Sequence, residues 1–224
     1  MENTAKKINV RQLVILGMFC ALAYAVMVLS KLIPISVAGF LTLDFKDVII
    51  AIASLLFGPI PGVIISVIVS FIEMITVSST GPIGLLMNIL STCSFVVPMS
   101  IIYKNKKKFS AAITGAVSGV VCMTIIMLLW NWLVTPLYMG VPRETVVAML
   151  LPVFLPFNLI KGAMNAAATV LLYKPVVTAL RKARLLSPST GTAPKKNMTI
   201  GVTLVSLFVL VSLVLVVLVW TGTI

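Results

Sequence analysis

Apolar runs long enough to cross a bilayer recur along this 224-residue chain, and they fix the fold class before anything else is asked. A helix needs roughly 20 residues to span the hydrocarbon, where its backbone N–H and C=O groups must find partners within the segment. Seven such runs read as helices, at about 12–30, 44–57, 62–77, 82–103, 109–135, 154–173 and 199–220. The chain is 60% hydrophobic and only 10% charged, too little charge to coat a soluble domain of this size. The expectation is an all-α polytopic membrane protein. Its six-helix core falls in residues 1–182, a flexible basic linker in 183–197, and an appended lipid-facing helix in 198–224. The second and third helices look short, and Gly58-Pro59-Ile60-Pro61-Gly62 between them reads as a tight turn.

The formal net charge of +12 suggests topology rather than nucleic acid. Thirteen of the seventeen basic residues fall in three clusters: Lys6, Lys7 and Arg11; Lys104, Lys106, Lys107 and Lys108; and Lys174, Arg181, Lys182, Arg184, Lys195 and Lys196. All three can lie on one side, and the positive-inside bias places that side in the cytoplasm. Seven crossings then leave the C-terminus outside. The Ser187–Pro194 stretch, rich in Ser, Thr, Pro and Gly, reads as flexible. Cys20, Cys93 and Cys122 show no CxxC spacing, and the absence of His removes the commonest general base and transition-metal ligand. With no nucleophile motif and no paired catalytic carboxylates, an enzyme is not expected, nor is a metal site. No GxxxxGK[ST] motif occurs, so the chain does not bind ATP in that manner. The long first run, with no small-residue cleavage site, does not read as a removable signal.

Polar side chains inside lipid need a partner, a cavity or a function. Here they gather towards the external end of the helices. Asp44 and Lys46 open helix two, Glu73 nears the end of helix three, and Asn88 lies in the outer half of helix four. Asn131 ends helix five, followed by Trp132, Pro136 and Tyr138, and Asn158, Lys161 and Asn165 begin helix six. An ion-conducting path would spread such groups through the full depth, so the asymmetry implies a pocket open to the outside. Positions 158, 161 and 165 share one helical face, which offers an ammonium and two amides. Helix–helix glue would explain a lone Asn; for this trio, ligand contact is the stronger reading. Glu73 serves equally well as a ligand contact or as a salt-bridge partner of Lys161 or Lys46. Asp44 and Asp47 stand where carboxylates cap a helix N-terminus. Trp130, Trp132 and Tyr138 suit an interfacial aromatic belt, while Phe40, Phe45 and Phe157 fit either core or pocket wall. Gly17, Ala21 and Ala25, with Ala23 beside them, form a small-residue face on helix one that suits packing within the fold or docking of another membrane protein. Gly162 and Ala166 do the same on helix six.

Together these residues resemble the substrate-binding S components of energy-coupling factor vitamin transporters, most closely the riboflavin-specific group. The resemblance rests on Leu43-Asp44-Phe45-Lys46-Asp47, Leu56-Phe57-Gly58-Pro59 with Gly62, and Ser79-Thr80-Gly81-Pro82-Ile83-Gly84 with Asn88. It continues through Asn131, Pro136 and Tyr138 to Pro156-Phe157-Asn158-Leu159-Ile160-Lys161-Gly162, in the family's order over residues 10 to about 182. It implies a six-helix core that holds riboflavin as transported substrate, with no cofactor, near the external face of a prokaryotic cell membrane. It also implies three partner subunits: one transmembrane coupling protein and two cytoplasmic ATPases. Asn131, Asn158 and Lys161 match positions that hydrogen-bond the flavin ring, with Asn88 and Asp44 behind them; Gly17, Ala21 and Ala25 match the face that docks on the coupling protein. The seventh helix, Pro61 and the Ser66–Glu73 stretch depart from the family pattern.

An isoalloxazine ring, with donors and acceptors on one edge and a broad apolar face, suits convergent amides and a Lys within apolar walls. Other vitamins remain alternatives on the same fold. A cationic one such as thiamine would call for more carboxylates than Glu73 and Asp44. In a purely structural membrane protein, the same polarity would only fix helix packing.

Overall fold

The computed structural model describes residues 10–32, 36–37, 41–106, 109–186 and 196–220. Phe40, Lys6, Lys7, Lys107, Lys108, Lys195 and the Ser187–Pro194 stretch lie outside them. The chain opens with α1 (Val10–Leu32), followed by two short antiparallel strands, β1 (Ser36–Val37) and β2 (Leu41–Thr42). Then come α2 (Lys46–Phe57), α3 (Pro59–Thr76), α4 (Gly81–Lys106) and α5 (Phe109–Leu133). Two short helices, α6 (Thr135–Met139) and α7 (Arg143–Met149), lead through a π-helical turn at Leu150–Phe154 into α8 (Leu155–Lys182), and α9 (Lys196–Trp220) is last.

Six helical runs among the described residues are long and apolar enough to cross a membrane: α1, α3, α4, α5, the continuous stretch Arg143–Lys182, and α9. The helix expected to be short, α2, has 12 residues. That is about 18 Å of helix against roughly 30 Å of hydrocarbon. It sits at the centre of the bundle, touching α1, α3, α4 and α8, with every residue from Lys46 to Ser54 buried. A helix apolar on all sides is at home there as readily as in lipid.

Proline explains two further differences from the expected boundaries. The predicted turn at 58–62 contracts to Gly58, whose φ of +101° suits a residue without Cβ, and α3 starts at Pro59. First-turn N–H groups have no helical partner, so proline there costs little. The helix expected from about 154 is entered earlier: Pro152 lies inside the π-helical turn, which carries helix through from α7 to α8. A π-turn absorbs an extra residue and relieves the clash that proline makes with the preceding turn. At the other end α8 continues through Pro175 to Lys182, past the expected helix end near 173 and up to the expected start of the linker.

Glycines set the tightest contacts. A Cβ at Gly119 would lie 2.4 Å from the Phe95 carbonyl oxygen, and one at Gly115 would lie 2.8 Å from that of Met99. Only glycine lets α5 approach α4 so closely. Gly162 brings α8 against Val120 and Met123 of α5, as the small-residue stripe anticipated. Packing therefore brings the C-terminal ends of α1, α3 and α5 to the same end of the bundle as the N-terminal ends of α2, α4 and α8. Lys104 and Lys106 mark the opposite end.

Candidate substrate-binding cavity

Where those ends converge, the bundle leaves a cavity of about 300 Å³. That is the lower end of the range for small-molecule sites. Ser30 and Lys31 at the end of α1, the Leu41–Asp44 segment, Glu73 and Val77 at the end of α3, and the Ser78–Thr80 turn form one side. Met87, Asn88 and Ser91 of α4, Met127 and Asn131 of α5, and Phe157, Asn158 and Lys161 of α8 form the other. Apolar surfaces from Leu41, Leu43, Met87, Met127 and Phe157 thus alternate with amides and charges.

The polar groups are held by specific bonds. Lys161 Nζ donates to Asp44 Oδ2 at 3.0 Å, tying α8 to the segment that enters α2. Glu73 accepts from two lysines: Lys31 at the end of α1, at 3.0 Å, and Lys46 in the first turn of α2. Asn88 Nδ2 adds a third bond to the same carboxylate at 3.1 Å. Asn131 donates to the Met127 carbonyl and accepts from the Thr135 hydroxyl, both at 2.8 Å, and Asn158 donates to the Phe154 carbonyl at 2.7 Å. These bonds hold the amides in place, and each amide has two N–H donors and a carbonyl oxygen that can take more than one bond.

Of the residues singled out from sequence, Asp44, Glu73, Asn88, Asn131, Asn158 and Lys161 line this cavity. Three do not. Asn165 lies one turn deeper, where its amide faces Asp47 at 3.5 Å, because the seven-residue spacing that shares a face also spans two helical turns of depth. Phe45 packs its ring into the apolar core on both sides of α2's entry, and its N–H donates to Ser30 Oγ at 3.3 Å. Tyr138 borders a small neighbouring cavity of about 50 Å³ lined also by Trp130 and Asn131. It is 42% exposed, and Trp132, beneath the Arg143 guanidinium, is 39% exposed, consistent with belt positions. The expected capping of α2 is not made. Phe45 occupies the cap position without a side-chain hydrogen bond; Asp44 turns to Lys161, and Asp47 accepts from Thr92 at 2.6 Å. Glu73 takes the salt bridge to Lys46 and not one to Lys161.

Sequence reasoning missed Lys31, Leu41, Leu43, Met127 and the Ser78–Thr80 hydroxyls as cavity residues. Lys31 carried a signal, as a lone cation at the end of an apolar run away from the three basic clusters. Gly17, Ala21 and Ala25 all lie exposed on the outer side of α1, and a Cβ at Gly17 would meet nothing within 4 Å, whereas Ala23 is buried.

The arrangement is that of a polytopic helical membrane protein with a mixed polar and apolar cavity at one end of its bundle, suited to holding a small molecule. The chain belongs to the ECF transporter substrate-specific component family, whose model matches residues 11–173. It is 31% identical to the riboflavin transporter RibU of Staphylococcus aureus (strain TCH60) over 189 residues, 80% of this chain and 99% of that protein. It is 26% identical to the riboflavin transporter FmnP of Bacillus subtilis (strain 168), over 79% of this chain and 99% of that one. A solved S component of a bacterial ECF transporter superposes with a TM-score of 0.65 at 30% identity, covering 78% of this chain and 99% of its own. The protein is a multi-pass membrane transport component, not an enzyme, and as a member of that family it associates with an ECF transporter module.

Proposed function

We propose that this chain captures riboflavin or a closely related flavin from the external side for ATP-driven uptake. The carrying observation is the cavity itself, where Asn88, Asn131, Asn158 and Lys161 converge between apolar walls that include Met127 and Phe157. Amide groups can match the alternating donors and acceptors of the flavin's pyrimidine edge, and the apolar walls its ring faces. Asp44 holds the Lys161 ammonium and joins the covering Leu41–Asp44 segment to α8. The names of the matched relatives agree with this ligand.

Uptake further requires a transmembrane coupling protein and two cytoplasmic ATPases, since no ATP-binding motif occurs here. Gly17, Ala21 and Ala25 form the docking face on the coupling protein. The N-terminus is cytoplasmic and the cavity external, in keeping with Lys104 and Lys106 at the opposite end of the bundle. Residues up to 182 make the binding core, and α9 is an addition beyond it; the family match ends at 173.

The test is to purify the protein in detergent, look for a co-purified flavin spectrum, and titrate riboflavin while following fluorescence quenching. Tight quenching that weakens in Asn158→Ala and Lys161→Ala supports the proposal. A folded protein that leaves riboflavin fluorescence unchanged refutes it.

A further inference from the structure

α9 lies beyond the family match, which ends at residue 173, and most of its apolar side chains face outward. Among its described side chains only Ser206 and Val217 are buried. Counting back from Val217, the partly buried Val214, Leu213 and Leu210 fall three, four and seven residues away, so the four share one face. That face joins the apolar cluster of Leu41, Leu43, Val146, Phe154, Phe157 and Met164. Leu41, Leu43 and Phe157 line the cavity, and the Phe154 carbonyl accepts the hydrogen bond that fixes the Asn158 amide. The inward face of α9 therefore stands directly behind the cavity wall.

We propose that α9 is a positioning element for the bound flavin, its Leu210–Val217 face stiffening the cavity wall from behind and slowing release of the ligand. The inference rests on the flavin reading above and gives the added helix a part in it. The Leu41–Asp44 segment that covers the cavity is tied at one end by the β1–β2 pairing and at the other by the Asp44–Lys161 pair. The side chains of Leu41 and Leu43 between these ties are held by apolar packing. Lipid tails are as apolar as Leu or Val, so α9 adds little by burial alone; what it adds is a neighbour of fixed shape. A wall backed by fluid lipid opens locally more often, and the ligand leaves through such openings. The effect therefore falls on dissociation, where differences between variants of one site mostly reside.

Val217→Ala and Leu213→Ala weaken this contact without touching any cavity-lining residue. Val177→Ala makes the same truncation as the first, at a buried position near the opposite end of α8, and serves as the control for lost stability.

The experiment loads the full-length protein in lipid nanodiscs with radiolabelled riboflavin, chases with excess unlabelled riboflavin, and measures association by stopped-flow quenching. Dissociation should quicken roughly three- to tenfold in Val217→Ala and Leu213→Ala, the size expected for a lost buried contact. Association should stay within about twofold of wild type, and Val177→Ala should keep both rates despite a comparable fall in melting temperature. If Val217→Ala does not fold, Leu213→Ala decides alone. Unchanged dissociation in the folded α9 variants, or an equal rise in Val177→Ala, overturns the inference while leaving flavin binding intact. A folded wild type that binds no riboflavin overturns the functional proposal, and this inference with it.

Discussion

Replacing Lys161 by Ala separates the two roles its position allows, helix glue and ligand contact. The Lys161–Asp44 pair is buried on both sides, with side chains 10% and 9% exposed, and it links groups 117 residues apart. Asp44 Oδ1 already has no hydrogen-bond partner, so removing Lys161 strips the carboxylate of its one ion pair among the described residues. Breaking a buried pair from one side costs about 3–5 kcal/mol, because the remaining charge stays desolvated. At about 2–4 °C per kcal/mol for a chain of this size, melting should fall by roughly 6 °C or more. The double variant Lys161→Met with Asp44→Asn leaves no orphaned charge, and should recover most of that loss. Binding should not recover with it. A charge-assisted hydrogen bond to a flavin is worth about 1.5–3 kcal/mol, so both variants should bind riboflavin roughly ten- to a hundredfold more weakly. Thermal scanning in detergent beside quenching titrations reads both quantities. Recovery of melting and binding together in the double variant would refute ligand contact by Lys161 and leave it as glue; no recovery of melting would refute the buried-charge account.

Gly119→Leu should drive α4 and α5 apart, since even a Cβ would sit 2.4 Å from a backbone oxygen, and lower melting by several degrees or abolish folding. Gly201→Ala on α9, where a Cβ meets nothing within 4 Å, is the control and should hold or raise melting slightly through helix propensity. Gly17→Leu should leave riboflavin titrations within about twofold of wild type, because that face is open, yet abolish co-purification with the coupling protein and ATP-dependent uptake in vesicles. Uptake at wild-type rate would remove α1 from the docking face. A chain ending at residue 186 should still bind riboflavin. It should melt a few degrees lower, because α9 packs along α8 and its Val217, 1% exposed, belongs to the apolar cluster that includes Leu41, Leu43 and Phe157.

That cluster shows where reading the sequence stops and why. Hydropathy and the lysine clusters located the long helices, and an i, i+3 spacing was enough to put Asn158 and Lys161 on one cavity wall, because both signals are local to a single helix. Which carboxylate answers which lysine is not local. Glu73 had Lys46 and Lys161 as equal candidates, and the outcome depends on α2 being drawn into the centre between α3 and α8, which puts Lys46 beside Glu73 and Asp44 beside Lys161. The same displacement explains α2 itself. An all-apolar run reads identically whether lipid or protein surrounds it, and only its 12-residue length betrays burial. Lys31 and the Leu41–Leu43 wall were missed for a related reason. They flank a connection between helices, and their place at the cavity is set by the β1–β2 pairing and the Glu73 ion pair, contacts made across the fold. Local periodicity thus exposed half of the site, one helix face at a time, and the ion pairs that join those faces appear only when the faces are brought together.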